Sequence, residues 1–413
     1  MTTLKLPEKE ISYWTQDSTV PSYPTLQETI EVDVAIIGAG IAGLSAGYFL
    51  KSAGRTVAVL ESETIASKVT GHTTGKVTSQ HNLCYAGLEK RFNTETARLY
   101  GEANQTAISQ METIIKKESI ACDWQRDDNY VFTEKSDEIE KLQNEAAVAN
   151  TLGLPATFET KTPLPFAVKG AVRFRDQAKF HVRHYLLGLA RAVHGQGSYV
   201  FEHTKASAPS DDTPCVIQSS HGKVVAREVI IATNVPFPLA AHSYYGAYEY
   251  PLKSYIVAGK IADKDIFKGM YITPTGSPTR SILPIHTNSE TLLLIGGESH
   301  FPGFGLARNR HQRLANYAAE KFDINSIDYR WSTWDYLSND DVPLIGKLYP
   351  WSKHVYVATG FMKWGLTTGT VAGMILRDTI LGHENPWTKV YDSTRLSPIT
   401  SLPRAAVKIL KSL

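Results

Sequence analysis

Cysteine is scarce: Cys84, Cys122 and Cys215 are the only three in 413 residues. Their odd number and wide spacing argue against a disulfide framework. With no Cys-x-x-Cys or Cys-x-His pair, no zinc or iron–sulfur site can be read, and no metal is expected. Long apolar runs are lacking as well. Residues 34–37 and 229–232 have the length of strands, not of membrane spans. Residues 1–25 are polar and have no apolar stretch of the kind a secretory signal needs. Together these gaps predict a cytoplasmic protein without integral membrane association. Charge of one sign is not in excess either. Lys plus Arg number 43 against 41 Asp plus Glu, and a net charge of +2 gives no reason to expect nucleic acid as a partner.

What is present is a soluble globular composition, 42% hydrophobic and 20% charged, in a chain long enough for two domains. After an irregular lead-in, residues 32–37 form a β-branched run that reads as a buried parallel strand. Gly38-Ala39-Gly40-Ile41-Ala42-Gly43 follows, then a helix to about residue 53 ended by Gly54. Residues 56–60 make a second strand closing at Glu61. Residues 85–150 read as polar and helical, and Pro155, Pro163 and Pro165 mark a break. A helix is expected over 181–194 and a short buried strand over 228–233. Residues 255–258 and 291–295 look like strands of a mostly antiparallel sheet. A strand over 354–360 leads through a loop to a helix over about 367–381. The tail from residue 397 is basic, with Arg404, Lys408 and Lys411 among apolar residues. It reads as a solvated helix end, the alternative being a short amphipathic helix that touches a membrane or a partner.

The glycine run sits in the context that gives it meaning. It follows a strand, opens a helix, and precedes an acidic residue at the end of the next strand. Gly38 permits the tight turn, Gly40 leaves room for a pyrophosphate against the backbone, and Gly43 lets helix and strand pack closely. The helix N-terminus, including Ile41 and Ala42, offers unpaired N–H groups and a positive dipole end. Glu61 suits ribose hydroxyls and would repel a 2′-phosphate, which argues against NADP. This fingerprint does not separate FAD from NAD. Two other segments favour FAD. Residues 228–233, ending at Thr233, read as a strand returning to the nucleotide sheet. Residues 354–365 place a second glycine turn before a C-terminal helix, whose N-terminus suits the negative charge of a reduced flavin.

Further motifs point the same way: Thr70-Gly71-His72-Thr73-Thr74-Gly75-Lys76-Val77-Thr78-Ser79-Gln80-His81, Gln177-Ala178-Lys179-Phe180-His181, Asp340-Asp341-Val342-Pro343-Leu344-Ile345-Gly346 and Gly360-Phe361-Met362-Lys363-Trp364-Gly365. With the fingerprint, they make the chain resemble the D-amino-acid oxidase/glycine oxidase superfamily of FAD enzymes. The resemblance covers about residues 30–395 and is closest to the branch often fused to a C-terminal Rieske iron–sulfur domain. It implies an α/β fold: an FAD-binding Rossmann-type domain with a discontinuous α+β substrate domain built on a mostly antiparallel sheet. The expected division is 28–95, 166–235 and 335–395 for the FAD domain, 96–165 and 236–334 for the substrate domain, and 396–413 as a tail. Ser67, Thr70, Gly71, His72, Thr73 and Thr74 are implied to run along the pyrophosphate and flavin, and Ala206 to lie near adenine. Gly360, Lys363, Trp364, Gly365, Leu366 and Thr367 are implied to border the isoalloxazine. No cysteine lies in 360–369, so the covalent linkage some relatives carry there is not expected. The Cys-x-His and Cys-x-x-His pairs of a Rieske domain are also missing, so the electrons are expected to leave to a separate partner or to oxygen, or the chain is a shortened relative.

The resemblance implies oxidation of an amine or amino acid by hydride transfer to flavin N5, the cofactor supplying the difficult chemistry. Two alternatives stand beside it: an electron-transfer flavoprotein serving a redox partner, and a biosynthetic tailoring enzyme acting on a non-amine substrate. Candidate catalytic residues are Lys363 beside the flavin, Arg280 as a carboxylate clamp, and Tyr255 near a strand end in the substrate domain.

Overall fold

The structure, a computed structural model, describes residues 4–16, 21–263, 266–276, 278–286, 291–303, 309–322 and 324–412, with residues 411 and 412 as backbone only. Two sheets organise it. In the first, the β-branched run Thr29–Ile37 is a central strand, hydrogen-bonded in parallel to Val57–Leu60 on one side and Lys223–Asn234 on the other. The seven strands run Leu344–Lys347, Val355–Thr359, Lys223–Asn234, Thr29–Ile37, Val57–Leu60 and Tyr199–Phe201, with Cys215–Gln218 paired to Lys223–Asn234. Where the central strands are covered on both faces their sequences run apolar without alternation, as in Val34-Ala35-Ile36-Ile37 and Val229-Ile230-Ile231-Ala232, whereas their first halves alternate between exposed and buried residues. Val34 and Ile36 face one core together with Leu44, Phe49, Leu189 and Ile375, which come from the helices Ile41–Ser52, Val182–Val193 and Gly365–Leu381. Ala35 and Ile37 face the other core with Ile217, Ala241 and Tyr245.

The second sheet has nine strands in the order Tyr329–Ser338, Glu249–Lys260, Thr291–His300, Arg280–His286, Met270–Ile272, Gln125–Thr133, Gly170–Lys179 and Lys76–Val77, with Ala156–Glu159 paired to Gly170–Lys179. Every pairing in it is antiparallel except that of Met270–Ile272 with Gln125–Thr133. The mixed α/β architecture and the mostly antiparallel second sheet are those expected from the sequence.

One expectation fails locally. Residues 85–150 read as helical, yet Gln125–Thr133 is a strand. Its first four residues are polar and fit a helix face, and the β-favouring Tyr130-Val131-Phe132 is too short to decide alone. Pairing with Gly170–Lys179, some forty residues later, supplies the decision. Allocation to sheets is likewise non-local. Lys76–Val77, Gly170–Lys179 and the end of Tyr329–Ser338, all inside segments assigned to the nucleotide unit, hydrogen-bond within the nine-stranded sheet.

The helix Gly365–Leu381 crosses Ile41–Ser52 at two glycines. A Cβ at Gly369 would lie 2.8 Å from Ile41 Cγ2, and one at Gly373 would lie 2.8 Å from the Ala46 nitrogen. This contact holds the N-terminal ends of the two helices side by side.

A buried carboxyl joins the sheets. Glu249 opens the strand Glu249–Lys260, and its oxygens lie 3.1 and 3.0 Å from Thr359 Oγ1 at the end of Val355–Thr359. Thr359 Oγ1 is also 2.9 Å from the Asn234 carbonyl oxygen, which can only accept. The single hydroxyl proton therefore goes to Asn234, and the Glu249 carboxyl must bring its own proton to Thr359. Burial agrees, raising the Glu249 pKa to about 8. A pKa raised in the folded state means the native protein keeps a proton that the unfolded chain releases. Stability is then full below about pH 4.5 and declines as pH rises toward 8, by up to about 1.4 kcal/mol per pH unit. Urea denaturation at pH 5.5, 7 and 8.5 should show that decline in the wild type and a flatter profile in Glu249→Gln. Parallel profiles would rule out the protonated carboxyl.

Candidate active site

The two uncapped helix ends face one cavity of about 1270 Å³ lying between the sheets. That exceeds an ordinary single-ligand cleft and leaves room for a large cofactor with a substrate beside it. The first wall is the glycine turn. Gly38 has φ of +107°, and a Cβ there would meet the Ala232 carbonyl oxygen at 2.6 Å. Gly40, Ile41 and Ala42 line the cavity, while Gly38 and Gly43 lie behind them. Gly40 is the N-cap of its helix and offers no side-chain acceptor to the first-turn N–H groups. Apart from the Ile41 N–H, which meets Thr70 Oγ1 at 3.3 Å, the first-turn donors and the positive end of the helix dipole suit an anion.

The second wall is the segment 70–74, and its conformation is imposed from outside. Ser12 Oγ donates to the Gly71 carbonyl at 2.6 Å, Trp331 Nε1 to that of His72 at 2.9 Å, and Trp14 Nε1 to that of Thr73 at 2.7 Å. Three successive carbonyls are thus tied to the protein. Thr70, His72, Thr73 and Thr74 line the cavity, and Gly71 lies behind, where a Cβ would be 1.8 Å from the Ala66 carbonyl oxygen. His72 Nδ1 is 2.8 Å from the Lys68 carbonyl oxygen. Thr70 Oγ1 takes the Ile41 N–H at 3.3 Å, joining the two walls.

The third wall is the loop 361–364. Met362 and Lys363 adopt left-handed φ values of 55° and 70°, a conformation that clusters at functional sites. Lys363 Nζ donates to Ser299 Oγ at 2.6 Å, and Ser299 is hydrogen-bonded to Ser254 at 3.0 Å. Burial lowers the Lys363 pKa. Trp364 lies parallel to the His81 ring, 5.1 Å between centroids. Trp364, Gly365 and Leu366 line the cavity. Gly360 (φ +70°) sits behind them against Glu249. Thr367 is buried, with its hydroxyl 3.1 Å from the Thr78 carbonyl oxygen and 3.0 Å from His81 Nε2.

The other sequence candidates divide. Tyr255 and Arg280 both lie on the cavity wall. The Tyr255 ring stacks on His300 at 5.7 Å and meets the edge of His311 at 5.0 Å. Arg280 Nη2 is bonded to Glu298 at 2.7 Å, so its guanidinium is already engaged by a buried carboxylate. Glu61 lies off the wall. Its carboxylate takes the Ala39 N–H at 3.0 Å and the Glu63 N–H at 2.9 Å, bracing the glycine turn from below. Ser67, Ala206 and Thr233 are also off the wall; the Ser67 hydroxyl is buried without a hydrogen-bond partner, whereas Thr233 Oγ1 donates to the Val235 carbonyl at 2.6 Å.

Several wall residues escaped sequence reading. Asp335 faces the cavity near Lys363, and burial raises its pKa to about 6, with the lysine charge opposing the rise. His81 is buried between Tyr100, 2.6 Å from Nδ1, and Trp364, and burial holds its pKa down at about 3, so it is neutral. Lys76 is buried on the wall, bonded to the Tyr271 carbonyl and to Ser281 Oγ at 2.8 Å, and burial pushes its pKa well down. Arg91, Arg404 and Lys408 line the far side. Lys76 and His81 lie in the 70–81 motif and Arg404 and Lys408 in the basic tail, but nothing in the sequence placed any of these residues on the cavity wall; the fold gathers them with Asp335 and Arg91.

These residues fit a flavin nucleotide. An uncapped helix end beside a glycine cradle suits a pyrophosphate, an orphaned serine hydroxyl lies nearby in the chain, and a second uncapped helix end opens onto the same cavity. A sheet with this parallel centre, and the cavity against a second, mostly antiparallel sheet, has the architecture of a dinucleotide-binding protein. The chain belongs to the FAD-dependent oxidoreductase family, whose model matches residues 33–379. It is 33% identical over 386 residues to Bacillus subtilis YhfW, named as a Rieske 2Fe-2S iron–sulfur protein, covering 93% of this chain and 75% of that one. It is 22% identical over 410 residues to the gamma-glutamylputrescine oxidoreductase of Escherichia coli, covering 92% and 89%. Glycine oxidase from Geobacillus kaustophilus has the same fold, with a TM-score of 0.73 at 20% identity, covering 90% of this chain and 98% of that one. FAD is the cofactor of the family. Among the described residues no helix is long and apolar enough to cross a membrane.

Proposed function

We propose that the protein oxidises an amine or amino acid in the cavity between the two sheets. The observation that carries this reading is the presence of Asp335, within the electrostatic reach of Lys363, on a wall that also holds Trp364 and the second helix end. When bound, FAD would supply the two-electron acceptor for a hydride from the carbon that bears nitrogen. Hydride leaves readily only from a neutral amine, so the ammonium form of the substrate must first lose a proton. Asp335 has the environment of such a base: it faces the cavity and titrates near the working pH. Lys363, held by Ser299, fixes positive charge beside the ring site. The relatives named for gamma-glutamylputrescine and glycine support nitrogen-bearing substrates. On this reading the N–H groups at residues 40–42 hold the pyrophosphate, Glu61 and Ser67 serve the adenosine side, and residues 70–74 and 360–367 border the flavin.

Anaerobic mixing of FAD-loaded protein with a panel of primary and secondary amines and amino acids tests the reading. At least one should bleach the visible flavin bands. A panel that leaves the flavin oxidised throughout, while dithionite reduces it, excludes the substrate class. Mixing the reduced protein with air-saturated buffer and, separately, with ferricyanide identifies oxygen or a one-electron partner as acceptor.

A further inference from the structure

The cavity is far more basic than the chain as a whole. Nine Lys and Arg side chains line it against four Asp and Glu, whereas the whole sequence is nearly balanced. Part of the excess lies in the C-terminal helix Leu402–Ser412, which is solvated over much of its surface but packs along one face. Ala405 and Ile409 pack it against Tyr250, Leu252, Leu337 and Met362, one residue before Lys363. This packing lays Arg404 and Lys408 on the substrate side of the cavity, over the nine-stranded sheet rather than at the pyrophosphate end. Arg91, from the helix Tyr85–Arg91, reaches the same place.

All three cations gather on one carboxylate. Asp341 receives Arg91 Nη2 at 3.1 Å, Arg404 Nη2 at 2.7 Å and the Lys408 ammonium. Anchoring the tail does not require this, because the adjacent Asp340 already does it one to one. Asp340 is fully buried and takes Arg395 at 2.8 Å together with the Ser397 hydroxyl at 2.6 Å. Around Asp341 the positive charges outnumber the negative by two, on side chains only 19%, 45% and 32% exposed for Arg91, Arg404 and Lys408. Desolvation, helped by the neighbouring Arg404 charge, lowers the pKa values of Arg91 and Lys408 in spite of Asp341. A second surplus stands on another part of the wall, where Arg280 and Arg313 share the carboxylate of Glu298 and Arg310 donates to its carbonyl oxygen.

We propose that the substrate carries a second carboxylate, and that Arg91, Arg404 and Lys408 receive it. This rests on the reading of the cavity as the site of amine or amino acid oxidation. The substrate class is then an acidic amino acid, or an amine bearing two carboxylates. Two or three charge-assisted hydrogen bonds to one carboxylate, from side chains that packing holds together, give the site its preference over a substrate with a single acid group.

Calorimetric titration of FAD-loaded protein with succinate, glutarate and adipate, each against butyrate, reads the preference without turnover. One of the diacids is expected to bind at least tenfold more tightly than butyrate. In the double variant Arg404→Gln/Lys408→Gln that advantage should vanish while butyrate affinity stays as it was, and Arg404→Lys/Lys408→Arg should restore it. Asp341 keeps Arg91 as its partner in both variants, so no carboxylate is left unpaired, and an unchanged bound-flavin spectrum checks that each is folded. Equal binding of diacids and butyrate by the wild type overturns the proposal. So does an advantage that survives the double substitution, or a loss that falls equally on butyrate. Because no oxidation is involved, these outcomes are independent of whether any amine reduces the flavin.

Discussion

Replacing Gly43 with alanine should leave the protein unable to retain FAD through dialysis. The new Cβ would stand 1.9 Å from the Gly38 carbonyl oxygen and 3.3 Å from Ile36 Cγ2. Neither neighbour can yield. Gly38 is held by its N–H bond to Leu60 at 2.8 Å, and Ile36 lies in the fully buried central strand. The helix must therefore lift off the turn, carrying with it the N–H groups that meet the pyrophosphate. Loss of two or three such bonds to a charged group corresponds to at least a hundredfold in affinity, at about 1.5–3 kcal/mol each. Overpacking adds about 1–3 kcal/mol of destabilisation. Gly54→Ala is the matched control. Its φ of +81° also disfavours a side chain, but nothing lies within 4 Å of a Cβ there. That variant should lose about 1 kcal/mol of stability and no FAD. Flavin absorbance after dialysis and thermal denaturation separate the two effects. Full retention of FAD by Gly43→Ala would mean that the turn does not bind the pyrophosphate.

The second large effect concerns Asp335. If it removes the substrate proton it must be ionised, so kcat/KM should rise with pH through about 6 and level above. Asp335→Asn should remove that limb and slow flavin reduction about a hundredfold at pH 7.5. Lys363→Met offers a sharper test. The lysine charge holds the Asp335 pKa down, so its loss should move the limb to higher pH. A purely structural role for either residue would change the rate without moving the limb. A limb unmoved in Lys363→Met, or still present in Asp335→Asn, would assign the proton to another group.

The sequence went furthest where chemistry is local. The glycine turn, its flanking strands and Glu61 lie within thirty residues, and each step there is set by a backbone requirement that few residue types satisfy. The segment 70–74 and the loop 361–364 were also legible, as motifs whose resemblance to a family named the cofactor. The gaps have a common cause. Gln125–Thr133 read as helix because its partner strand lies far along the chain. The Glu298 partner of Arg280, which the sequence offered as a carboxylate clamp, was not legible because it lies across the hydrogen-bonded pair of strands Arg280–His286 and Thr291–His300. Asp335, His81 and Lys76 are unremarkable in their neighbourhoods, and their altered pKa values come from burial that only packing creates.

The tail shows the division most plainly. Its composition read as a basic helix end, with an amphipathic helix as the alternative, since charge and apolar spacing are properties of the chain itself. Which way that helix faces depends on Tyr250, Leu252, Leu337 and Met362, brought together from three distant segments. By itself the sequence determined a dinucleotide-binding turn, because a βαβ turn is built from contiguous residues under strict steric demands. Only the tertiary structure decided where the surplus positive charge lies, because like-charged groups gather against electrostatic repulsion only when packing elsewhere holds them there.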